Sequence, residues 1–166
     1  MLRVTALLLV GLILAGCANG EDDRPVIPTT SPAFQDHGQL AFVRGATGDT
    51  IRTVTIEIAD TDATRAQGLM RRMSVPDTVA MLFLFERAEP LSFWMRDTPR
   101  SLDIMFFAPD TTLLNIAKYT TPYSTDQIPS AGRAQFVVET QAGFADRFGI
   151  VEGDRVVWAD QRDGVR

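Results

Sequence analysis

The chain has 166 residues, 45% of them hydrophobic, with 16 Lys and Arg against 21 Asp and Glu, a formal net charge of -5. The acidic balance argues against a nucleic-acid partner and against a polybasic contact with anionic lipid. One cysteine and one histidine exclude an internal disulfide, a CxxC redox pair and zinc sites built from several His or Cys, and leave a Ser-His-Asp triad only His37 to draw on.

Residues 1–16 have the layout of a bacterial export signal: a short start carrying Arg3, an apolar stretch from Ala6 to Leu14, then Ala15 and Gly16. Val4 to Ala15 is about 12 residues, too few for a spanning helix, which needs ~20. Residues 17–36 carry three prolines and no apolar period, so they read as a flexible tether. Residues 37–166 then form a single domain, long enough for a real hydrophobic core.

Gln39 to Val43 is a short strand, and Thr50 to Ala59 alternates Val54, Ile56 and Ile58 against Thr53, Thr55 and Glu57, the period of a half-buried strand. Thr61 or Asp62 can cap a helix from Ala63 to about Arg71. Val79 to Phe85 is a continuous apolar run, read as a strand buried on both faces. Glu86 to Pro90 reads as a turn, followed by Ser92 to Arg96, whose alternation sets Phe93 and Met95 against Trp94 and Arg96. Leu102 to Ala108 and Thr112 to Tyr119 flank Pro109-Asp110 as a hairpin. Thr120 to Arg133 reads as a long loop, Gln135 to Thr140 as a strand, Ala142 to Phe148 as a short helix ended by Gly149, and Arg155 to Ala159 as a last strand. With about eight short strands, two short helices and no alternating βα pattern, the fold class is mainly β, a compact antiparallel sandwich or barrel.

Two resemblances bear on function. Leu14-Ala15-Gly16-Cys17 resembles the lipobox of bacterial lipoproteins. It implies cleavage before Cys17 and lipid (palmitate among the acyl chains) on that residue, which anchors the chain to a membrane of the cell envelope. Ala18 stands where a retention aspartate sits, which favours the outer membrane. Cleavage removes Arg3 and leaves 15 basic against 21 acidic residues, a net -6. Separately, Arg65 to Arg72, Met81 to Phe85, Phe93 to Thr98 with Leu102-Asp103, Pro129 to Gly132, Val137 to Glu139 and Gly153-Asp154 resemble, in that order, the family known as domain of unknown function 192. The resemblance covers about residues 50 to 159 and implies a compact β domain, often exported, with no established reaction. The family usually has Lys and Asn where this chain has Arg96 and Asp97, and often Ile-Pro where it has Arg100 and Ser101.

Six residues are the candidate ligand-binding set: Arg65, Trp94, Arg96, Asp97, Asp103 and Glu139. Asp103 and Glu139 each sit in an apolar strand, where a carboxyl must be partnered or protonated. They read as acid/base groups, as ligand contacts, or as structural carboxylates satisfied by arginine or backbone donors, with Arg65 the first-choice partner of Asp103. Trp94 beside Arg96 suits stacking of a ligand, or covers the edge of the core under the guanidinium. Arg71 and Arg72 fit the negative end of the helix dipole, whereas Arg65 asks for an ion pair, or else an anionic ligand. Five methionines from Met70 to Met105 raise copper, but their spacing suits core filling, and no metal or cofactor is expected. The leading expectation is a lipid-anchored envelope domain that binds a small ligand or partner without catalysis. The alternatives are a hydrolase of an envelope polymer using Asp103 and Glu139, and a structural accessory of an envelope complex.

Overall fold

The computed structural model describes residues 31–162; Cys17 and the segment before it lie outside them. The described chain folds as β1 (Gly38–Val43), β2 (Thr50–Ala59), α1 (Asp62–Gln67), β3 (Val79–Phe93), β4 (Leu102–Phe107), β5 (Leu113–Ala117), β6 (Ile128–Gln141), α2 (Phe144–Phe148) and β7 (Arg155–Asp160). All seven strands form one sheet in the order β5-β4-β6-β3-β2-β1-β7. The sheet is curled into a half-barrel rather than split into a sandwich. Its two edges approach where Thr112 bridges Arg155, and where the Leu113 N–H donates to the Asp154 carbonyl at 2.7 Å. That contact shields edge strands which would otherwise be open to pairing.

Alternation assigns the two faces. Leu40, Val54, Ile56, Leu82, Met105, Val138 and Val156 point inward and pack with Phe144 and Ala145 of α2, which plugs the barrel. Met81, Phe83, Ile104, Phe106 and Val137 point outward and form a second core beneath Leu69, Val75 and Met95 of the overlying loops. The central strands are therefore buried on both sides, which is why Val79 to Phe85 of β3 and Ile104 to Phe107 of β4 read as unbroken apolar runs. The methionines follow the same logic: Met81, Met95 and Met105 are buried in these cores, and Met73 is 60% exposed.

Every pairing is antiparallel except β2 with β3, which is parallel. A parallel pair needs a crossover connection. Here the crossover carries α1 and residues 68–78 over the outer face, and this creates the second core.

The structure corrects four sequence expectations. Glu86 to Pro90 is no turn: β3 runs through it, with register shifts between Leu84 and Glu89 and between Pro90 and Ser92. Pro90, which lacks an N–H, is tolerated at such an irregularity. β6 begins at Ile128, inside the expected loop, because this part of the chain pairs with Ser92 and Phe93. α1 ends at Gln67 rather than near Arg71, because Gly68 takes φ 48° and ψ -137°, outside the helix.

The flexible tether expected through residue 36 is the fourth. Residues 31–36 lie on the domain instead. The Met73 N–H donates to Ser31 Oγ at 3.2 Å, the Gln35 N–H donates to Glu57 Oε2 at 2.8 Å, and the Phe34 ring lies 5.6 Å from the Arg72 guanidinium carbon. His37 extends this dock, its Nδ1 accepting from the Ile58 N–H at 2.9 Å.

Candidate functional site

The crossover starts at Thr61, which forms a reciprocal capping box with Thr64. It leaves the helix at Gly68. A Cβ on Gly68 would stand 3.3 Å from Phe83 Cζ and 3.8 Å from Glu139 Oε2. A glycine at this φ and ψ brings bare backbone down onto the ring and the carboxyl. The space beside it is a cleft of about 400 Å³ between α1, the outer face of β3 and the 94–98 loop.

Glu139 lies at the floor of this cleft. It stands opposite Met81 on β3 and Ile104 on β4, so it shares their outward face. Its side chain is only 5% exposed. Among the described residues no group donates a hydrogen bond to it. Burial, the only perturbation, pushes its carboxyl up to about 8. At neutral pH the group is therefore chiefly the neutral acid, able to donate one hydrogen bond.

Aromatic rings build the walls. Phe83 and Phe93 meet edge to face with centroids 5.0 Å apart, and Phe85 approaches Phe93 at 6.4 Å. Trp94 lines the mouth and is 43% exposed. Gln67, Ser92, Thr98 and Gln127 supply the polar rim.

Arg65 also lines the cleft, with three of its five N–H donors already placed. Nη1 donates to the carbonyls of Asp60 at 2.7 Å and Leu84 at 2.8 Å, and Nη2 donates to Asp62 Oδ1 at 2.7 Å. Its guanidinium sits 5.3 Å from the Phe85 ring centroid.

The remaining members of the sequence-derived set lie elsewhere. Arg96 covers Trp94, its guanidinium carbon 5.4 Å from the ring centroid. Asp97 does not line the cleft. It has φ 53°, and its carbonyl accepts from the Arg71 N–H at 2.8 Å. The left-handed conformation favours Asn and Asp, which accounts for this position without a ligand.

Asp103 is fully buried on the inner face, where it accepts from the N–H groups of Tyr119 and Ala145, each at 3.0 Å. It is not paired with Arg65. Backbone donors satisfy it, and one of them is a buried N–H of the first turn of α2, which has no partner within the helix. Asp103 stands opposite Thr140, and Ile104 opposite Glu139, so the two carboxyls leave opposite faces of the sheet.

Sequence reasoning missed the Glu57–Arg72 pair. Arg72 Nη2 donates to both carboxylate oxygens of Glu57, at 2.7 and 2.8 Å, and Arg72 is only 4% exposed. Arg72 lies beyond the helix end, so the ion pair and not the dipole explains it. The alternation of β2 put Glu57 on the face away from the core, and nothing in the sequence showed that residues 31–36 cover that face. The roles of Gly68, Phe83 and Phe85 were missed too. Their signal was the period of β3, which sets Met81, Phe83 and Phe85 on one face.

No curated protein matches the chain. Solved structures similar to it include the following two. A proposed transcription regulator from Sinorhizobium meliloti 1021 is 31% identical, with a TM-score of 0.70 over 78% of this chain and 98% of that one. A protein of unknown function from Novosphingobium aromaticivorans DSM 12444 is 33% identical, with a TM-score of 0.69 over 78% of this chain and 96% of its own. The family profile described as Uncharacterized ACR matches residues 43–158, which takes in the half-barrel from the end of β1 into β7. The chain therefore belongs to the DUF192 family.

Proposed function

We propose that this protein is a binding module of the bacterial cell envelope. Lipid on Cys17 holds it at the outer membrane facing the periplasm, and a small ligand occupies the cleft over Glu139. The observation that carries this reading is Glu139 itself, a carboxyl only 5% exposed with no hydrogen-bond donor among the described residues, at the floor of a cleft walled by Phe83, Phe85, Phe93 and Trp94. A fold retains such a group at a stability cost, and a ligand that supplies the missing partner offsets that cost.

The hydrolase reading loses its support. Two carboxyls that act on one bond must flank it from a shared cavity, roughly 5–9.5 Å apart. Asp103 and Glu139 are separated by the sheet, and Asp103 is saturated by backbone donors. Regulation of transcription, the role proposed for the Sinorhizobium meliloti neighbour, finds no support in a chain with net charge -5.

The test is a thermal-shift panel on the purified full chain, covering metals, nucleotides, muropeptides, oligosaccharides, amines and carboxylic acids. A ligand at ~100 times its dissociation constant adds about 2.7 kcal/mol, a readily measured rise. The expected hit loses affinity in Trp94→Ala and in Ala66→Trp, which places bulk at the cleft mouth. No shift from any class, or shifts untouched by both variants, would refute the cleft as a ligand site.

A further inference from the structure

The chemistry of the cleft narrows the ligand class, on the reading that the cleft is a ligand site. Its floor is an acid lacking a counter-charge. Arg65 is the charged group of α1 on the same cleft, and it is held by Asp62 and two carbonyls. The Glu57–Arg72 pair lies across Gly68 in an adjoining cavity, where Arg72 Nη2 donates to both carboxylate oxygens of Glu57. The residues that face Glu139 from β3 and β4, Met81 and Ile104, are uncharged. No cation of the described chain pairs with this carboxyl.

The walls favour the same kind of guest. Ring faces attract cations, most strongly when both are removed from water. Arg65 sits over Phe85 and Arg96 over Trp94, whereas among the described residues no cation covers Phe83 or Phe93, so these two rings are the ones left to a cationic guest. An anionic ligand would meet an acid floor with at most one proton to give. A sugar would need many polar partners, and the lining is predominantly apolar.

We propose that the cleft is a receptor site for a small organic ammonium ion, with its charged nitrogen on Glu139 and its apolar body against Phe83, Phe93 and Trp94. The binding step is balanced by one proton. The ammonium keeps its own, Glu139 changes from acid to carboxylate, and the proton released goes to solvent. Burial that holds the free carboxyl near 8 makes this release nearly complete below neutrality.

The experiment is isothermal calorimetry on the full chain with phenethylamine, phenethyl alcohol and phenylacetate, at about pH 6.5 in two buffers of different ionisation enthalpy. The amine is expected to bind at least about tenfold more tightly than the alcohol, with phenylacetate weakest. Proton release should approach one per amine, and amine affinity should rise as pH climbs from about 6 to 8. Glu139→Gln should abolish the amine's proton release and bring its affinity down to the alcohol's, while near-UV circular dichroism and urea unfolding of the variant report an intact fold.

Equal binding of amine and alcohol, or amine binding without proton release and insensitive to Glu139→Gln, would overturn the ammonium class while leaving the cleft as a ligand site. So would a ligand of another class from the panel that binds the cleft when the amine does not. If neither panel nor series binds, both readings fall together.

Discussion

Asp103 and Glu139 stand one register step apart on adjacent strands, yet their carboxyls lie on opposite faces of the sheet. The inner one ties the β5–β6 connection and α2 to β4, through the N–H groups of Tyr119 and Ala145. The outer one does no such work. Two acids that look alike in sequence therefore divide between fold and site. Asp103→Ala strands two N–H groups and is expected to destabilise by about 2–4 kcal/mol in urea unfolding. Asp103→Asn, which keeps one acceptor and turns an amide N–H toward the other donor, should cost roughly 1–3 kcal/mol. Neither should change ligand affinity in the cleft. Loss of binding in Asp103→Asn at unchanged stability would reverse the assignment.

Glu139 makes stability depend on pH with a definite sign. Its carboxyl is raised from 4.5 to about 8, so between those values the folded chain holds a proton that the unfolded chain has lost. Its contribution is then fully present below the lower value and is lost as pH rises through the upper one, by a total of a few kcal/mol. Glu139→Gln removes this slope. Chemical unfolding of both proteins across that range should show the variant gaining on the parent as pH rises. Parallel curves would mean that the carboxyl is hydrated in the folded state.

Much of the fold was legible because most strands carry their own pattern. β1, β2, β4, β5 and β7 alternate or run apolar over their length, and Gly149 ends α2 in the left-handed conformation as read. β3 past Phe85 and β6 before Gln135 were not legible, because each is held as a strand by the other across two register shifts. The parallel pairing of β2 with β3 is equally non-local, and on it depends the placement of α1 over Glu139. Arg65, Trp94 and Glu139 could thus be named singly, but the cleft they share could not be drawn. The separation of Asp103 from Glu139 rests on relative register between strands, which periodicity within one strand does not contain.

The docked segment before β1 gives a boundary test. Residues 31–36 donate to Glu57 and cover Arg72, so they shield a buried ion pair from water. Removal of residues 1–36 should lower stability by about 1–3 kcal/mol relative to removal of residues 1–30. Arg72→Ala strands the Glu57 carboxylate and should cost roughly 3–5 kcal/mol. Equal stability of the two truncations would show that the segment contributes nothing to the domain.

Anchoring is tested at Cys17, the only cysteine. Cells fed labelled palmitate should label the parent protein and not Cys17→Ser, and the variant should leave the membrane fraction. Fractionation by density should place the parent with the outer membrane. Equal labelling of both proteins would rule out lipidation at this residue.

Trp94 separates a wall of a binding cleft from a piece of core. Its ring is 43% exposed and is covered on one side by Arg96. Trp158 is half-buried and packs on Phe136 with centroids 5.0 Å apart, so it serves as the internal reference. Trp94→Ala should cost within about 1 kcal/mol, as changes at the surface do. Trp158→Ala leaves a hole beside the inner core and should approach ~3 kcal/mol. In Trp158→Phe, where Trp94 is the sole indole, iodide should quench strongly in the free protein and weakly once a ligand fills the cleft. In Trp94→Phe, quenching of Trp158 should be weaker and indifferent to ligand. A Trp94 ring as protected as Trp158 in the free protein, with a matching loss of stability on truncation, would make it part of the core and take away the wall on which the cleft depends.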